Sequence, residues 1–324
     1  MTLQSGPTFI SFPAESHAGG SEPAAVVAGL MAESPWVSPK YLYGPLGSRL
    51  FDAITELPEY YPTRTEKALL EGCRESVARA AGSDPSLIDL GAGNCEKARS
   101  LFQSLKPRQY VAVDISVEFL RHSMTPLQRN FPHLEMIGIG IDFSAALRLP
   151  DAVRRDNRLF FYPGSSIGNF TPAESLAFLA GIRAQCAGPF GGGLLIGVDL
   201  VKSESILRAA YDDALGVTAA FNLNLLNNLN ALIDSDFAVG DWRHYAVFNA
   251  ALSRIEMHLQ ARRDVTVNWP GGGRRFTQGV RIHTENSYKY ALEDFKALLK
   301  RAGFREVRAW TDEREWFALC HAIA

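Results

Sequence analysis

Residues 87–114, LIDLGAGNCEKARSLFQSLKPRQYVAVD, constrain the fold more than any other stretch. An apolar run carrying Asp89 gives way to Gly91-Ala92-Gly93, a helical pattern follows, and a second apolar run ends at Asp114. This order predicts a strand, a glycine turn, a helix and a second strand with an acid at its C-terminal end. Such a unit seats a nucleoside at the mouth of a parallel sheet. Glycines let the backbone approach a ligand with no Cβ in the way, and Asp114 is placed to accept hydrogen bonds from two ribose hydroxyls. The same pattern also serves a βαβ unit whose glycines only ease packing, so the ligand needs support from elsewhere.

The turn itself discriminates between nucleosides. A dinucleotide fingerprint asks for a third glycine, and the sixth position here is Glu96. A pyrophosphate would meet Asp89 and Glu96 nearby. S-adenosylmethionine has no phosphate and carries a positive sulfonium, so the acids favour it over NAD.

Composition excludes several classes. The 324 residues suffice for one large domain or two ordinary ones. With 33 basic and 35 acidic residues and a net charge of −2, the chain has no electrostatic footprint for nucleic acid. Cys73, Cys95, Cys186 and Cys320 are scattered without a C-x-x-C, and the seven histidines lack metal-ligand spacing, so neither a disulfide framework nor a metal site is expected. No apolar run has the length of a membrane span, and no basic segment leads an apolar core at the N-terminus. A cytoplasmic monomer with no membrane partner is the expectation.

Along the chain, residues 1 to about 25 are rich in Gly, Ser, Pro and Ala and read as an irregular arm, with helical periodicity near 24–31. Thr63-Arg-Thr-Glu66 reads as a capping box for a helix running to about Ala81, with Gly82 past its end. Strands are predicted at 87–90, 109–115, 134–141, 158–163 and 194–201. Thr171-Pro-Ala-Glu174 is a second capping box, with Leu176, Leu179 and Ile182 as the buried stripe of its helix. Alternating strands and helices argue for a doubly wound parallel sheet. The alternation then stops: 203–235 read as helical and 244–285 as strands. A helix at 291–302 precedes strands at about 305–311 and 315–322, too close for a crossover, which must form an antiparallel hairpin. The fold class is therefore α/β, a class I (Rossmann-like) methyltransferase sheet ending in an antiparallel hairpin, with a second, inserted α+β lobe.

Several segments together make the reading specific. LPEYYPTRTE (57–66), DLGAGNCEK (89–97), GSSIGNFTP (164–172), AYDDALGVTAAFN (210–222), RIEMHL (254–259) and HTENSYK (283–289) closely resemble the histidine-specific L-histidine Nα-methyltransferases of ergothioneine biosynthesis, from about Trp36 to the C-terminus. The resemblance implies trimethylation of the histidine α-amine by S-adenosylmethionine to hercynine. It implies a methyltransferase core of 65–201 and 290–324, a substrate lobe of 1–64 and 202–289, and a substrate lying between them.

The resemblance also assigns roles. Gly91 and Gly93 would form the cofactor turn, Lys97 would contact the cofactor's carboxylate end, Asp114 the ribose, and Asp142 and Phe143 the adenine. Asn169 and Tyr211 would hold the substrate carboxylate; Asn169 and Tyr60 would orient the α-nitrogen, with Tyr43 near it. Gly164 would leave room for backbone approach. Glu285 and Ser287 would grip the imidazole, Met257 would line the same pocket, and Thr218 would support Tyr211. Taken singly, these residues have plainer readings: a core tyrosine, a core methionine on an alternating strand, a turn asparagine, a solvent-facing glutamate, an N-capping aspartate. Only the joint match raises them above these.

Methyl transfer needs position and a deprotonated amine. No histidine in the matched segments stands out as a base, so the phenols of Tyr43 and Tyr60 are the candidates to accept the amine's hydrogen bond. Glu285 favours an imidazole over an indole. The chain departs from the family pattern at Gly44, at Asn94-Cys95 and at Asn286, the last lying next to the imidazole contacts and a candidate to shift specificity. A related methyltransferase acting on a tryptophan derivative or on a ring nitrogen, and a non-catalytic cofactor-binding module, are the competing readings.

Overall fold

The structure, a computed structural model, describes residues 6–12, 21–82, 84–143, 147–186 and 192–324. In chain order the strands are β1 (Thr8–Ser11), β2 (Ser86–Leu90), β3 (Gln109–Asp114), β4 (Glu135–Gly140), β5 (Arg158–Tyr162), β6 (Gly192–Asp199), β7 (Trp242–Asn249), β8 (Arg254–Ala261), β9 (Val265–Trp269), β10 (Gly272–Phe276), β11 (Arg281–Tyr288), β12 (Glu306–Thr311) and β13 (Phe317–Ile323). They belong to two compact units. One comprises Met1–Glu15, Arg64–Leu200 and Tyr290–Ala324; the other comprises Ser16–Thr63 and Val201–Lys289.

The first unit is built on one sheet in the order β1-β4-β3-β2-β5-β6-β13-β12. β1 to β6 pair in parallel, and β13 runs antiparallel to both β6 and β12. A parallel sheet closed by an antiparallel hairpin whose last strand slots inside it is the class I methyltransferase sheet. The central strands read as unbroken apolar runs because both faces are covered. Ile88, Val111, Ile137 and Phe160 face one core cluster, shared with Leu179 and Ile182 of the helix Pro172–Gln185 and with Phe295 and Leu299 of the helix Leu292–Arg301. Leu87, Tyr110, Met136 and Phe161 face the other, with Leu70 and Val77 of the helix Tyr61–Ala81 and Leu120 and Met124 of the helix Val117–Asn130. The Thr171–Glu174 capping box forms as expected.

Three local readings need correction. Residues 8–11 lie within the expected irregular arm yet form β1, with Thr8 opposite Ile137 and Ser11 opposite Gly140. Phe9 explains the docking: a Cβ on Gly138 would fall 2.6 Å from its ring, so the glycine opens the seat. The Arg121 guanidinium caps the same ring at 4.4 Å. Secondly, the helix expected to be capped at Thr63 already begins at Tyr61, so Glu66 lies inside it and serves another purpose. Thirdly, the helical stretch after the glycine turn is two single turns, Glu96–Arg99 and Phe102–Leu105, with Cys95 left-handed at φ 63° between turn and helix.

In the second unit, β11-β8-β7 form an antiparallel sheet and β9-β10 a hairpin. The helix Val217–Ile233 packs on β7 and β8, and the helix Pro45–Thr55 packs on that helix. Asp213 starts the long helix: its carboxylate accepts from the N–H groups of Val217 (3.0 Å) and Thr218 (2.8 Å). These are donors a helix cannot satisfy internally.

Candidate active site

In the first unit the expected cofactor residues converge. Gly91 and Gly93 have φ values of 69° and 51°, a left-handed turn that side chains disfavour. The turn docks on β3 through Gly91 and Ala92 N–H bonds to the Val113 carbonyl, at 2.8 and 3.1 Å. Asp114 closes it from the strand end: one oxygen accepts from Gly93 N–H and the other from Ser116 N–H, each at 3.1 Å. A carboxylate has about four lone-pair sites, so capacity remains for two hydroxyls. Burial pushes the Asp114 carboxyl above the usual carboxylate range, against the pull of these N–H donors. The Phe143 ring lies over the turn, 3.9 Å from where a Gly91 Cβ would stand. It meets the rings of Tyr162 and Phe178 at 6.0 and 6.1 Å. Asp142 precedes it, partly exposed just past β4. A left-handed glycine turn, an acid with acceptor capacity and an aromatic plate suit an adenine nucleoside.

Beneath the turn, Asp89 is buried and accepts from the Tyr110 hydroxyl at 2.9 Å. Burial lifts its carboxyl to about 7; Tyr110 and Lys97 act against this, and the nearby Asp114 and Glu66 carboxylates add to it. Lys97 reaches Glu66 at 2.6 Å. Gly164, left-handed at φ 77° and expected to leave room for backbone approach, donates its N–H to the other Glu66 oxygen at 2.7 Å. Asn169 ends the short turn Ser166–Asn169 that follows.

The second unit gathers most of the expected amino-acid contacts. Met257 and Glu285 are direct cross-strand partners, as are Ile255 and Ser287. Alternation along a strand puts all four on one face of the sheet. The Ser287 and Tyr211 hydroxyls share a hydrogen bond of 2.7 Å, and Lys289 donates to both, at 2.8 and 3.1 Å. Tyr60 meets the Tyr211 ring edge-on at 6.3 Å, and Phe51 joins Tyr60 (6.1 Å) to Tyr43 (5.6 Å). One aromatic chain thus runs from Tyr43 to the Glu285 face.

Some expectations fail here. Thr218 does not hydrogen-bond Tyr211; its backbone N–H serves Asp213. His244 bonds Tyr211 instead, with Nε2 on the Tyr211 carbonyl at 2.8 Å. Asn286 pairs with Glu256 and points away from Glu285 and Ser287, so its departure from the family pattern lies on the opposite face. There Glu256 binds Arg254 (2.7 Å), Asn249 (3.0 Å) and His258 (3.2 Å). Gly44 is the N-cap of the helix Pro45–Thr55, where a Cβ would press on Asn228 at 3.1 Å. Asn94 closes an Asx turn onto Glu96 N–H at 3.1 Å, keeping the altered glycine turn short.

His244 and Lys289 were not singled out from the sequence, and Glu66 was read there only as part of a capping box. Glu66 had a visible signal: it continues the buried stripe Leu69, Leu70, Cys73 and Val77 of its helix. A charge on such a stripe demands a partner. His244 and Lys289 sit on strands or strand ends whose inward faces are known only from the register.

Comparison with known proteins agrees with this geometry. The family of histidine-specific, SAM-dependent methyltransferases matches residues 22–324. A histidine N-alpha-methyltransferase of Mycolicibacterium smegmatis is 39% identical over 305 residues, covering 92% of this chain and 93% of the relative. One from Mycobacterium tuberculosis is 39% identical over 303 residues, covering 91% and 92%. Ergothioneine biosynthesis protein 1 of Neurospora crassa is 32% identical over 285 residues, covering 85% of this chain and 32% of that longer protein. With a class I sheet, a nucleoside turn and a family match spanning nearly its whole length, the chain belongs to the histidine-specific, S-adenosylmethionine-dependent methyltransferases.

Proposed function

We propose that this enzyme transfers three methyl groups to the α-amino nitrogen of L-histidine, giving hercynine for ergothioneine synthesis. The observation that carries the substrate reading is the shared strand face of Glu285, Met257 and Ser287, with the Ser287 hydroxyl bonded to Tyr211. A carboxylate beside a hydroxyl matches the two nitrogens of an imidazole, and a methionine supplies an adaptable apolar wall. The names of the relatives point the same way.

In this reading the first unit binds the cofactor and the second supplies most of the substrate contacts. Bound S-adenosylmethionine supplies an electrophilic methyl on a sulfonium. Gly91 and Gly93 let the backbone approach it, Asp114 takes the ribose hydroxyls, Asp142 and Phe143 take the adenine, and Lys97 takes the carboxylate end. Asn169 and Tyr211 anchor the histidine carboxylate, which stays charged while the nitrogen loses its hydrogens in successive turnovers. Tyr60, with Tyr43 behind it in the aromatic chain, accepts a hydrogen bond from the amine N–H and passes the proton to water. Catalysis then rests on orientation and on deprotonating the amine, and the aromatic faces tolerate the cationic product.

The four cysteines are free and buried, which suits a reducing compartment. We place the enzyme in the cytoplasm, acting as a monomer on a small molecule. Among the described residues no helix is long and apolar enough to cross a membrane.

The test is mass spectrometry of L-histidine after incubation with the purified protein and S-adenosylmethionine, with fragmentation to locate the methyl groups. Three methyls on the α-nitrogen are expected. Methyls on the ring, or comparable turnover of tryptophan, would defeat the substrate reading.

A further inference from the structure

Glu66 is the most completely buried acid near the cofactor turn, at 0% exposure, and no step described so far uses it. A carboxylate in such a place persists only if both oxygens are satisfied, at least one by a positive charge. Both are: Oε2 meets the Lys97 ammonium at 2.6 Å and Oε1 accepts the Gly164 N–H at 2.7 Å. The surrounding backbone is shaped for this. A Cβ on Gly197 of β6 would stand 2.2 Å from Oε1, so only glycine leaves space for the carboxylate. A Cβ on Gly164 would come within 3.3 Å of the Lys97 ammonium, at a residue already left-handed. Three other elements thus converge on this side chain of the helix Tyr61–Ala81: the segment after the glycine turn, the loop after β5, and β6.

The two partners differ in kind. The Lys97 side chain is a third exposed, and its ammonium is held by Glu66, whose own side chain is fully buried. Gly164 opens the loop that ends at Asn169. We propose that Glu66 is a positioning residue that aims Lys97 at the cofactor's carboxylate end and ties that lysine to the loop presenting Asn169 to the substrate. The proposal rests on the roles given above to Lys97 and Asn169. Without Glu66, a lysine on a four-carbon stem would swing into solvent, where its charge is better hydrated. The loop would also lose its buried anchor.

Glu66→Gln separates this role from a merely structural one. The amide keeps the shape and one acceptor but loses the ion pair, and its NH2 then faces a donor on one side. Binding of S-adenosylhomocysteine by calorimetry should weaken about tenfold, and the KM for histidine should rise in the same variant, because the tie between Lys97 and the loop is broken. Lys97→Met should weaken the same binding at least as much. The double variant should bind no more weakly than Lys97→Met alone, because both changes break one linkage. Should Glu66→Gln not fold, Glu66→Asp, a methylene too short to reach both partners, should weaken binding in the same direction.

Three results would overturn the proposal. Losses that multiply in the double variant would show that Glu66 does not act through Lys97. A folded Glu66→Gln that binds as wild type, while Lys97→Met does not, would remove the proposal alone. Wild-type binding by Lys97→Met would remove it together with the role of Lys97 on which it stands.

Discussion

His244 shows how one side chain's protonation follows from its neighbours. The Asn222 Nδ2 lies 3.0 Å from the His258 carbonyl, an acceptor, so it must be the amide NH2. It therefore donates to His244 Nδ1 at 2.9 Å, which leaves the proton of the neutral ring on Nε2, pointing at the Tyr211 carbonyl. Burial holds the His244 pKa below its ordinary value, in keeping with a neutral ring. Replacing His244 with Ala leaves that carbonyl and the Asn222 amide short of a partner. The expected cost is about 1–3 kcal/mol of stability, read as a lower urea midpoint with an unchanged slope. An unchanged midpoint would mean that water takes over both bonds. None of this was legible in the sequence, where His244 is one residue of an alternating strand. Tyr211, by contrast, was found through its unusual YDD–GVTAAFN block.

Elements were largely legible where their periodicity was strong. β2 to β6 and the closing hairpin fall within about two residues of expectation, because buried parallel strands need unbroken apolar runs and a short link allows only an antiparallel turn. Boundaries set by side-chain capping were less certain. Thr171 caps its helix as read, but the Thr63 box does not form, because helix contacts begin earlier and Glu66 is drawn inward by Lys97 and Gly164. The long helix of the second unit relies instead on Asp213. Burial opposes its charge, yet the N–H groups of Thr218 and Val217 hold its carboxyl below the usual range. Asp213→Ala should lower stability by about 1 kcal/mol. The loss should fade as the pH falls through the carboxyl's range, since the lowered pKa stabilises the fold only while the group is charged. A thermal melt at pH 7 and at pH 3.5 checks both parts, and an equal loss at the two values would contradict the assignment.

For the whole molecule, buried histidines set the response to acid. Burial holds His258 and His321 at about 4, and His244 and His283 below their ordinary value. Each takes up its proton in the unfolded chain near 6.5 but not in the fold, so stability present above 6.5 drains away as the pH falls toward 4. Asp89 acts oppositely: its raised carboxyl favours the fold at low pH, and that contribution is lost as the pH rises from 3.8 through about 7. Asp52 and Asp114, also raised by burial, act in the same direction as Asp89, and four histidines against three carboxyls predict a net fall. Urea unfolding free energy should drop between pH 7 and pH 5, and a flat profile would show that the histidines titrate normally in the fold.

The alternation of apolar runs, the glycine turn and the joined motifs determined the sheet, the cofactor class and the family from sequence alone, because each is a pattern written along the chain that needs no knowledge of which residues meet in space. Tertiary structure decided what spacing leaves open. β1 exists because Gly138 offers Phe9 a seat more than a hundred residues away in sequence. Asn286 lies opposite Glu285 because the pairing of β11 with β8 assigns faces, and its register shifts between His283 and Glu285. Glu66 is the clearest case: its motif marks a helix start, but its function depends on Lys97, Gly164 and Gly197 arriving from three other elements. A buried charge is compatible with the fold only through partners brought close in space, and their proximity is a property of the folded chain.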